Sequence, residues 1–202
     1  MKIITSMEMA LKNPNAARFL KLKLKDKLPP EIAELPVLEE LYLEGEFPQV
    51  YLDLSSLKHL RAVFIKSPNL NTFPADVLKA PMLSNLKIIS GTFKQLRLPL
   101  EILSPLKSLT IKDSQLQVLP LEFSQFENLT ELNLSGNCLT ELPETLSDLK
   151  NLRRLNIDGN RLEKLSSVIK DCPALRHLSC DGNLFSEEEK FRIQREFNIS
   201  PN

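Results

Sequence analysis

The sequence has no tryptophan, only three cysteines and no long uninterrupted run of apolar residues. A membrane-spanning helix needs about 18 or more consecutive apolar residues, so the sequence argues against a membrane protein. Cys138, Cys172 and Cys180 form neither CxxC pairs nor an even set, which argues against a disulfide framework and a structural zinc site. We therefore expect a cytoplasmic location; a secreted mature form or an injected effector is the alternative.

The charge shows no excess of either sign, because 26 Lys and Arg residues balance 26 Asp and Glu residues. A dedicated nucleic-acid binder usually carries a strong basic excess, so the balance argues against nucleic acid as the partner. What the chain does have in excess is leucine, at 40 of 202 residues. That is about twice the usual share, and it requires an architectural reason.

The leucines recur with a period of 22 or 23 residues. The pattern LxxLxL, with Val, Ile or Cys substituting, begins at Leu38, Leu60, Leu83, Leu106, Leu129, Leu152 and Leu175, and an imperfect copy begins near Ala17. Counting from these leucines, the apolar residues at positions 4 and 6 alternate with polar ones, which predicts a strand with one buried face. One unit is too small to bury its own leucines, so we expect the copies to stack and share a continuous core.

The clearest unit, LTELNLSGNCLTELPETLSDLKN over residues 129–151, resembles the leucine-rich-repeat family in its short form, LPxxLxxLxxLxxLxLxxNxL. Segments such as LPPEIAELPVLEEL look most like bacterial and intracellular members. The resemblance covers residues 17–185 and implies an α/β leucine-rich-repeat solenoid. Such a solenoid has a curved parallel β-sheet on the concave side, turns and short 3-10 segments on the convex side, and helical caps at both ends.

The family pattern places an asparagine at position 9, where it satisfies backbone groups as the chain turns out of the strand. Only the later units have it, at Asn137, Asn160 and Asn183. The earlier units carry Glu46, Pro68, Gly91 and Ser114 instead. We therefore expect a departure from the family pattern in the first half, and an irregular convex segment around EGEFPQVYLDLSS, residues 44–56.

We treat residues 1–202 as a single domain with an N-terminal helical cap over 1–16, about eight repeats over 17–185 and a C-terminal helical cap over 186–202. Ser6 begins a short amphipathic helix that ends near Asn13. The sequence from Ser186 to Glu189 is a capping-box pattern, which predicts a helix running to about residue 197. The residues that we expect to cover the last strand are Phe191, Ile193 and Phe197.

Side chains at positions 3, 5 and 7 should face outward from the sheet, on the face that we call the concave face. In the first half these positions include apolar residues surrounded by lysines, an arrangement typical of a protein-binding hot spot. The alternative is that Tyr42 and Phe64 only stabilise the sheet as a cross-strand pair. The partner-contact residues that we predict here are Tyr42, Phe64, Lys66, Lys87 and Ile89.

The second half of the concave face is polar, and we predict Asn133, Asn156 and Asp158 as a secondary contact region. His177, Ser179 and Asp181 have the residue types of a catalytic triad. However, alternate residues on one strand lie ~6.6 Å apart and their side chains stand parallel, which does not bring the three groups together in sequence.

These features predict a non-catalytic protein–protein interaction module, acting as an adaptor, a scaffold or an effector-like binder through the concave face. We expect another protein as partner, no enzyme activity, no cofactor, no metal, and a monomer or weak homodimer. Two alternatives stay open. One is a self-associating structural protein that uses the segment 47–51 or a sheet edge, and the other is the recognition part of a larger bacterial effector system.

Overall fold

The computed structural model describes residues 3–51, 53–99 and 105–202. Its main element is an eight-stranded parallel sheet in which the strands lie in chain order. The strands are β1 Phe19–Leu24, β2 Glu40–Gly45, β3 Ala62–Lys66, β4 Asn85–Ile89, β5 Ser108–Lys112, β6 Glu131–Asn133, β7 Arg154–Asn156 and β8 His177–Ser179. The predicted α/β solenoid is confirmed in this arrangement.

The register of the sheet aligns equivalent positions of neighbouring repeats. In β3, Val63 and Ile65 are buried while Phe64 between them is partly exposed, as the alternation of apolar and polar residues predicts. Tyr42 pairs with Phe64, and Phe64 pairs with Lys87 on β4. The residues at positions 3, 5 and 7 therefore form ladders across one face of the sheet.

The second half of most units returns behind the sheet through short 3-10 helices. These lie at Pro30–Glu34, Ala75–Lys79, Leu121–Gln125, Glu144–Asp148 and Ser167–Asp171. Four of the five begin beside or at a proline, whose fixed φ and missing N–H suit the first turn of a helix. Between β2 and β3 the described residues, 46–51 and 53–61, contain no 3-10 helix, in agreement with the predicted irregular segment.

The core is a cluster of buried apolar side chains that runs through the stack from Ala10 to Ile193. The three cysteines are free, and Cys172 and Cys180 are buried in this core. Burial, with Asp181 and Asp158 nearby, raises the pKa of Cys180 to about 11. Both buried thiols therefore stay protonated near neutral pH and act as small core residues.

Asparagines at position 9 connect successive repeats inside the core. The side-chain amide of Asn160 donates to the carbonyls of Leu134 and Ile157 at 3.0 and 2.9 Å, and its Oδ1 accepts from the N–H of Leu139 at 3.0 Å. Asn137 and Asn183 make the corresponding bonds in their own repeats. One buried side chain thus satisfies backbone groups of two neighbouring units.

In two of the earlier units a serine takes over this role. Ser67 is fully buried, and its hydroxyl accepts from the N–H of Phe47 at 3.1 Å and donates to the carbonyl of Phe47 at 2.7 Å. The hydroxyl of Ser114 accepts from the N–H of Gly91 at 3.0 Å. These units depart from the family pattern, but the serine hydroxyls still provide hydrogen-bond partners for the buried backbone groups of Phe47 and Gly91.

A helix lies at each end of the stack. Helix α1, Met7–Lys12, begins at Ser6, whose hydroxyl accepts from the N–H of Met9 at 3.2 Å. Helix α2, Glu187–Phe197, begins at Ser186, whose hydroxyl accepts from the N–H of Glu189 at 3.2 Å. Among the described residues, neither helix has the length and apolar character needed to cross a membrane.

Two details at the C-terminal end differ from the sequence prediction. The carboxylate of Glu189 accepts from the N–H of Leu165 at 2.8 Å and from Arg192 at 2.6 Å, so it fastens α2 to the last repeats. Phe191 is 67% exposed, and the prediction that it covers the last strand is wrong. Ile193, which is buried, lies two residues further along the helix and therefore on the opposite side from Phe191. The treatment of residues 1–202 as one domain stays a prediction.

Candidate functional site

The rings of Tyr42 and Phe64 stack on the concave face. Their centroids are 4.9 Å apart and the ring planes differ by 19°, because the parallel register places the two residues side by side on β2 and β3. Lys87 is the neighbour of Phe64 on β4, and its Nζ lies 5.3 Å from the centre of that ring. The sequence thus builds a row of two aromatic rings and one ammonium group across three strands.

Ile89 and Lys66 form a second pair beside this row, two residues further along the same strands. We call the five residues Tyr42, Phe64, Lys66, Lys87 and Ile89 the N-terminal concave patch. Four of them, all except Lys87, line a shallow depression of about 300 Å³ together with Lys21, Leu43, Glu44 and Ile65. Lys87 joins the patch through its contact with the ring of Phe64. The structure therefore brings together the five residues that the sequence predicted for this half of the face.

The apolar members of this patch are less exposed than the sequence predicted. Tyr42, Phe64 and Ile89 are each only partly exposed, since neighbouring side chains on the ladder cover part of each one. The stacked pair is also the geometry expected for a cross-strand pair that stabilises the sheet. Stabilising the sheet and offering a contact surface are compatible, because each ring keeps an exposed part.

The hydroxyl of Tyr42 is held by a carboxylate on the same strand. It donates to Glu40 Oε2 at 2.5 Å. This hydrogen bond, with partial burial and the negative charge of Glu40, raises the pKa of Tyr42 above its ordinary value. The phenol therefore stays protonated near neutral pH and the ring is fixed in orientation.

Glu44 divides the lysines of this half into paired and unpaired groups. Its carboxylate lies 3.3 Å from Lys21 Nζ and 3.9 Å from Lys66 Nζ, and the bond to Lys21 lowers the pKa of Glu44. Within the described part of the chain, Lys87 and Lys23 make no salt bridge. Positive charge thus remains beside the aromatic rings. The sequence alone could not show which lysines form salt bridges and which do not.

The polar residues predicted in the second half also lie on the concave face, but their acceptors are used internally. Asn133 Oδ1 accepts from the N–H of Ser135, and Asn156 Oδ1 accepts from the N–H of Asp158, both at 3.0 Å. The two asparagines are neighbours in the ladder and line a depression of about 310 Å³. What they offer to a partner is a pair of amide N–H donors.

Asp158 makes the densest set of contacts in this region. Its carboxylate accepts from the hydroxyl of Ser179 at 2.7 and 2.9 Å and from the N–H of Asp181 at 2.8 Å. The hydrogen bond from Ser179, two positions before Asp181 in the next repeat, could not be predicted from the repeat pattern alone. Asp158 therefore joins two repeats as well as facing solvent.

The contact of Ser179 also shows how the three residues with the types of a catalytic triad, His177, Ser179 and Asp181, are arranged. The Ser179 hydroxyl donates to Asp158, and His177 is exposed. The described residues contain no group of three His, Cys, Asp or Glu side chains placed to hold a metal ion. The hydrogen bonds of this strand are those of a polar sheet surface.

Comparisons with known proteins agree with the repeat seen in the sheet. Residues 104–162 match a family model described as leucine rich repeat. A search of curated protein sequences finds no match. Among solved structures, a chain of the Toll–Spätzle complex, from Drosophila, superposes with a TM-score of 0.67 at 22% identity. An internalin from Listeria monocytogenes superposes with a TM-score of 0.59 at 17% identity.

The two superpositions include nearly all of this chain but only part of each neighbour. They cover 92% of this chain and 29% of the Toll–Spätzle complex chain, and 93% of this chain and 60% of the internalin. At these identities the likeness concerns the fold alone.

Proposed function

Because this chain is a leucine-rich-repeat protein, we propose that it is a non-catalytic protein-binding module whose main contact surface is the N-terminal concave patch. The observation that carries this proposal is the row formed by Tyr42, Phe64 and Lys87, with rings 4.9 Å apart and an ammonium group 5.3 Å from one of them. Partly exposed aromatic residues in a fixed arrangement are the side chains that most often dominate protein interfaces.

The rigidity of the patch favours binding. Each residue projects from a strand that is paired on both sides, and Tyr42 is further fixed by its bond to Glu40. Side chains that are ordered before binding lose little conformational entropy when a partner docks. Most of the free energy released when a partner covers the two rings therefore contributes to binding, because little of it is offset by ordering these side chains.

The charge of the patch favours an acidic partner. Lys87 and Lys23 have no carboxylate within salt-bridge distance among the described residues, and Glu44 is shared between Lys21 and Lys66. Complementary charge accelerates and selects association. The net charge of zero argues against nucleic acid, which calls for a broader basic surface. We assign the amide donors of Asn133 and Asn156 to a secondary contact, and Asp158 chiefly to joining repeats.

The structural neighbours support a binding role without identifying the partner. The first belongs to the complex of Toll with Spätzle, so a protein of similar fold takes part in binding another protein. Leucine-rich repeats are generally a non-catalytic, protein-binding fold. We propose an adaptor or effector-like binder that acts in the cytoplasm as a monomer or weak homodimer.

Self-association through the segment 47–51 is the less favoured alternative. Phe47 is fully buried, so it belongs to the core and offers nothing to a second copy. Tyr51 is 70% exposed and is the part of that segment still able to contact another chain. Light scattering against concentration measures this directly, and Tyr51→Ala is the matching variant.

The proposed function is tested by quantitative affinity capture from extract of the cells that produce the protein. Wild type is compared with the variant Tyr42→Ala/Phe64→Ala/Lys87→Glu and with a control variant, Tyr51→Ala/Met82→Ala/Lys58→Glu, altered at exposed positions elsewhere. We expect a protein captured by wild type and by the control variant to be lost with the concave variant. Equal capture by all three folded proteins contradicts the assignment of the patch.

A further inference from the structure

A second surface, unrelated to the concave face, combines apolar and acidic character. It is a groove of about 780 Å³ on the flank of the stack, where three successive repeats lead into their 3-10 helices. We call it the outer groove and define it by the segments 118–121 and 140–144 with Glu163, Lys164 and Ser166. The same place in three repeats contributes to it, so it runs across the repeats.

Exposed aliphatic side chains lie at one end of the outer groove. Leu121 is 65% exposed and Val118 is 41% exposed, and the rings of Pro120 and Pro143 lie beside them in the lining. At the corresponding place one and two repeats further on, the chain has Glu144 and Ser167 instead of Leu121. The apolar surface is therefore confined to one end of the groove and is not a general property of the repeat.

Unpaired carboxylates border the same groove. Glu141, Glu144 and Glu163 are all exposed, and none of them makes a salt bridge with any residue in the described ranges. Lys164 is the only basic residue in the lining, so three negative charges face one positive charge. This balance is opposite in sign to that of the N-terminal concave patch.

From this combination we propose that the outer groove binds an extended segment of another protein in which lysine or arginine flanks an aliphatic residue or a proline. The aliphatic residue covers Leu121 and Val118, which supplies the apolar part of the binding free energy. The flanking basic residues lie against Glu141, Glu144 and Glu163. Complementary charge at exposed positions sets the selectivity and the association rate.

The dimensions of the groove suit such a segment. Neighbouring repeats are about 4.8 Å apart at the sheet, and an extended chain advances about 3.3 Å per residue. Three repeats therefore accommodate at least about three extended residues. The negative rim repels phosphate groups, so nucleic acid and anionic lipid surfaces do not fit this groove.

The test begins with a display library of random peptides of about 12 residues, long enough to cross the groove at ~3.3 Å per residue. The library is selected separately on the wild-type chain, on Leu121→Ser, on Glu141→Lys and on the concave variant Tyr42→Ala/Phe64→Ala. We expect peptides with lysine or arginine beside aliphatic residues to be enriched on wild type and on the concave variant. Their enrichment should fall about tenfold or more on Leu121→Ser and on Glu141→Lys.

The strongest peptide is then synthesised with a fluorescent label and its Kd measured by polarisation. Raising the salt from about 50 to 300 mM should weaken binding severalfold, because exposed charge pairs are screened. The proposal is overturned if no peptide depends on both Leu121 and Glu141, if the enriched peptides are acidic, or if the concave variant loses them. Concentration-dependent association of the wild type that Leu121→Ser abolishes also overturns it, since the occupant is then a second copy.

These outcomes separate the outer groove from the proposed function of the concave face. Leu121→Ser and Glu141→Lys alter exposed side chains that have no part in the N-terminal concave patch, and the concave variant leaves the groove intact. Unfolding curves for all variants establish that each is folded. If the binding test contradicts the proposal for one of the two surfaces, the test of the other surface is still valid.

Discussion

The backbone of Asn202 contacts Asp181 in the same way that Asp181 contacts Asp158 one repeat earlier. The N–H of Asn202 donates to Asp181 Oδ1 at 2.9 Å, and the N–H of Asp181 donates to Asp158 Oδ1 at 2.8 Å. The parallel extends to the next residue, because Gly182 N–H donates to the carbonyl of Asn202 as Gly159 N–H donates to the carbonyl of Asp181. Asn202 thus stands to Asp181 and Gly182 as Asp181 stands to Asp158 and Gly159.

This relationship predicts unequal effects for two similar substitutions. Asp158→Ala removes the acceptor of both Ser179 and Asp181, whereas Asp181→Ala removes the acceptor of the exposed Asn202 N–H. We expect Asp158→Ala to lower the free energy of unfolding by about 1–3 kcal/mol and Asp181→Ala by less than about 1 kcal/mol. Urea unfolding measures both. Equal losses in the two variants would show that Asp158 does not join the repeats.

Removal of a buried asparagine should be more costly. Asn160→Ala leaves the carbonyls of Leu134 and Ile157 and the N–H of Leu139 without their partner at a site only 5% exposed. We expect a loss of about 2–4 kcal/mol. Asn183→Ala is the matched control, because its bonds are of the same kind but its site is partly exposed and water can replace them. A smaller loss for Asn160→Ala than for Asn183→Ala contradicts the interpretation.

Two glycines with positive φ should respond differently to alanine. Gly45 has φ +146°, and a Cβ there would lie 1.8 Å from the carbonyl oxygen of Leu24. Gly159 has φ +61°, and the nearest atom to its Cβ would be 3.6 Å away. We expect Gly159→Ala to cost about 1–2 kcal/mol from backbone strain alone, and Gly45→Ala to cost far more because backbone atoms collide. Thermal unfolding compares them, and a well-folded Gly45→Ala protein rules out the described approach of β1 and β2.

Acid should loosen the C-terminal helix. Hydrogen bonds from Arg192 lower the pKa of Glu189, and a bond from Lys170 lowers the pKa of Glu196 to about 2. A carboxylate whose folded pKa is below its unfolded value of ~4.3 stabilises the fold above that value, and the stabilisation is lost as the pH falls through the folded pKa. We expect Tm to be steady between about pH 5 and 7 and to fall below about pH 4 for this reason.

Arg192→Met isolates this contribution from that of other carboxylates. Without the guanidinium the folded pKa of Glu189 moves back toward its ordinary value, so the fall in Tm at low pH should be shallower than in wild type. Lys12→Met is the control, since its salt bridge to Glu8 is exposed and lies on α1. A parallel decline of wild type and Arg192→Met would mean that Arg192 does not set the pKa of Glu189.

The sequence predicted the parallel strands, their register and both helices because each rests on a short local pattern. The alternation around Val63 and Ile65 and the capping serines Ser6 and Ser186 are examples. Tyr42 and Phe64 could be placed side by side because equivalent positions in stacked repeats are neighbours. What the periodicity could not predict is which neighbour a given side chain contacts, or whether a neighbour covers it at all.

Three residues illustrate that limit. Glu189 matches a capping box but bonds to Leu165 and Arg192, and Ser67 substitutes for an asparagine from one position earlier in the unit. Residue type predicts Phe191 in the cap, but its position on α2 turns it away from Ile193 and leaves it 67% exposed. In each case the choice depends on distances between elements that no single repeat encodes.

The most direct test of the account is the affinity of Phe64→Ala for the protein captured by wild type, measured by calorimetry with both components purified. Phe191→Ala is the matched control, because it removes an equally large ring that is exposed on α2. The account predicts that Phe64→Ala weakens binding by about 1–3 kcal/mol, which is roughly 5- to 150-fold in Kd, while Phe191→Ala changes it little. An unchanged Kd for a folded Phe64→Ala protein would contradict the concave patch as the contact surface.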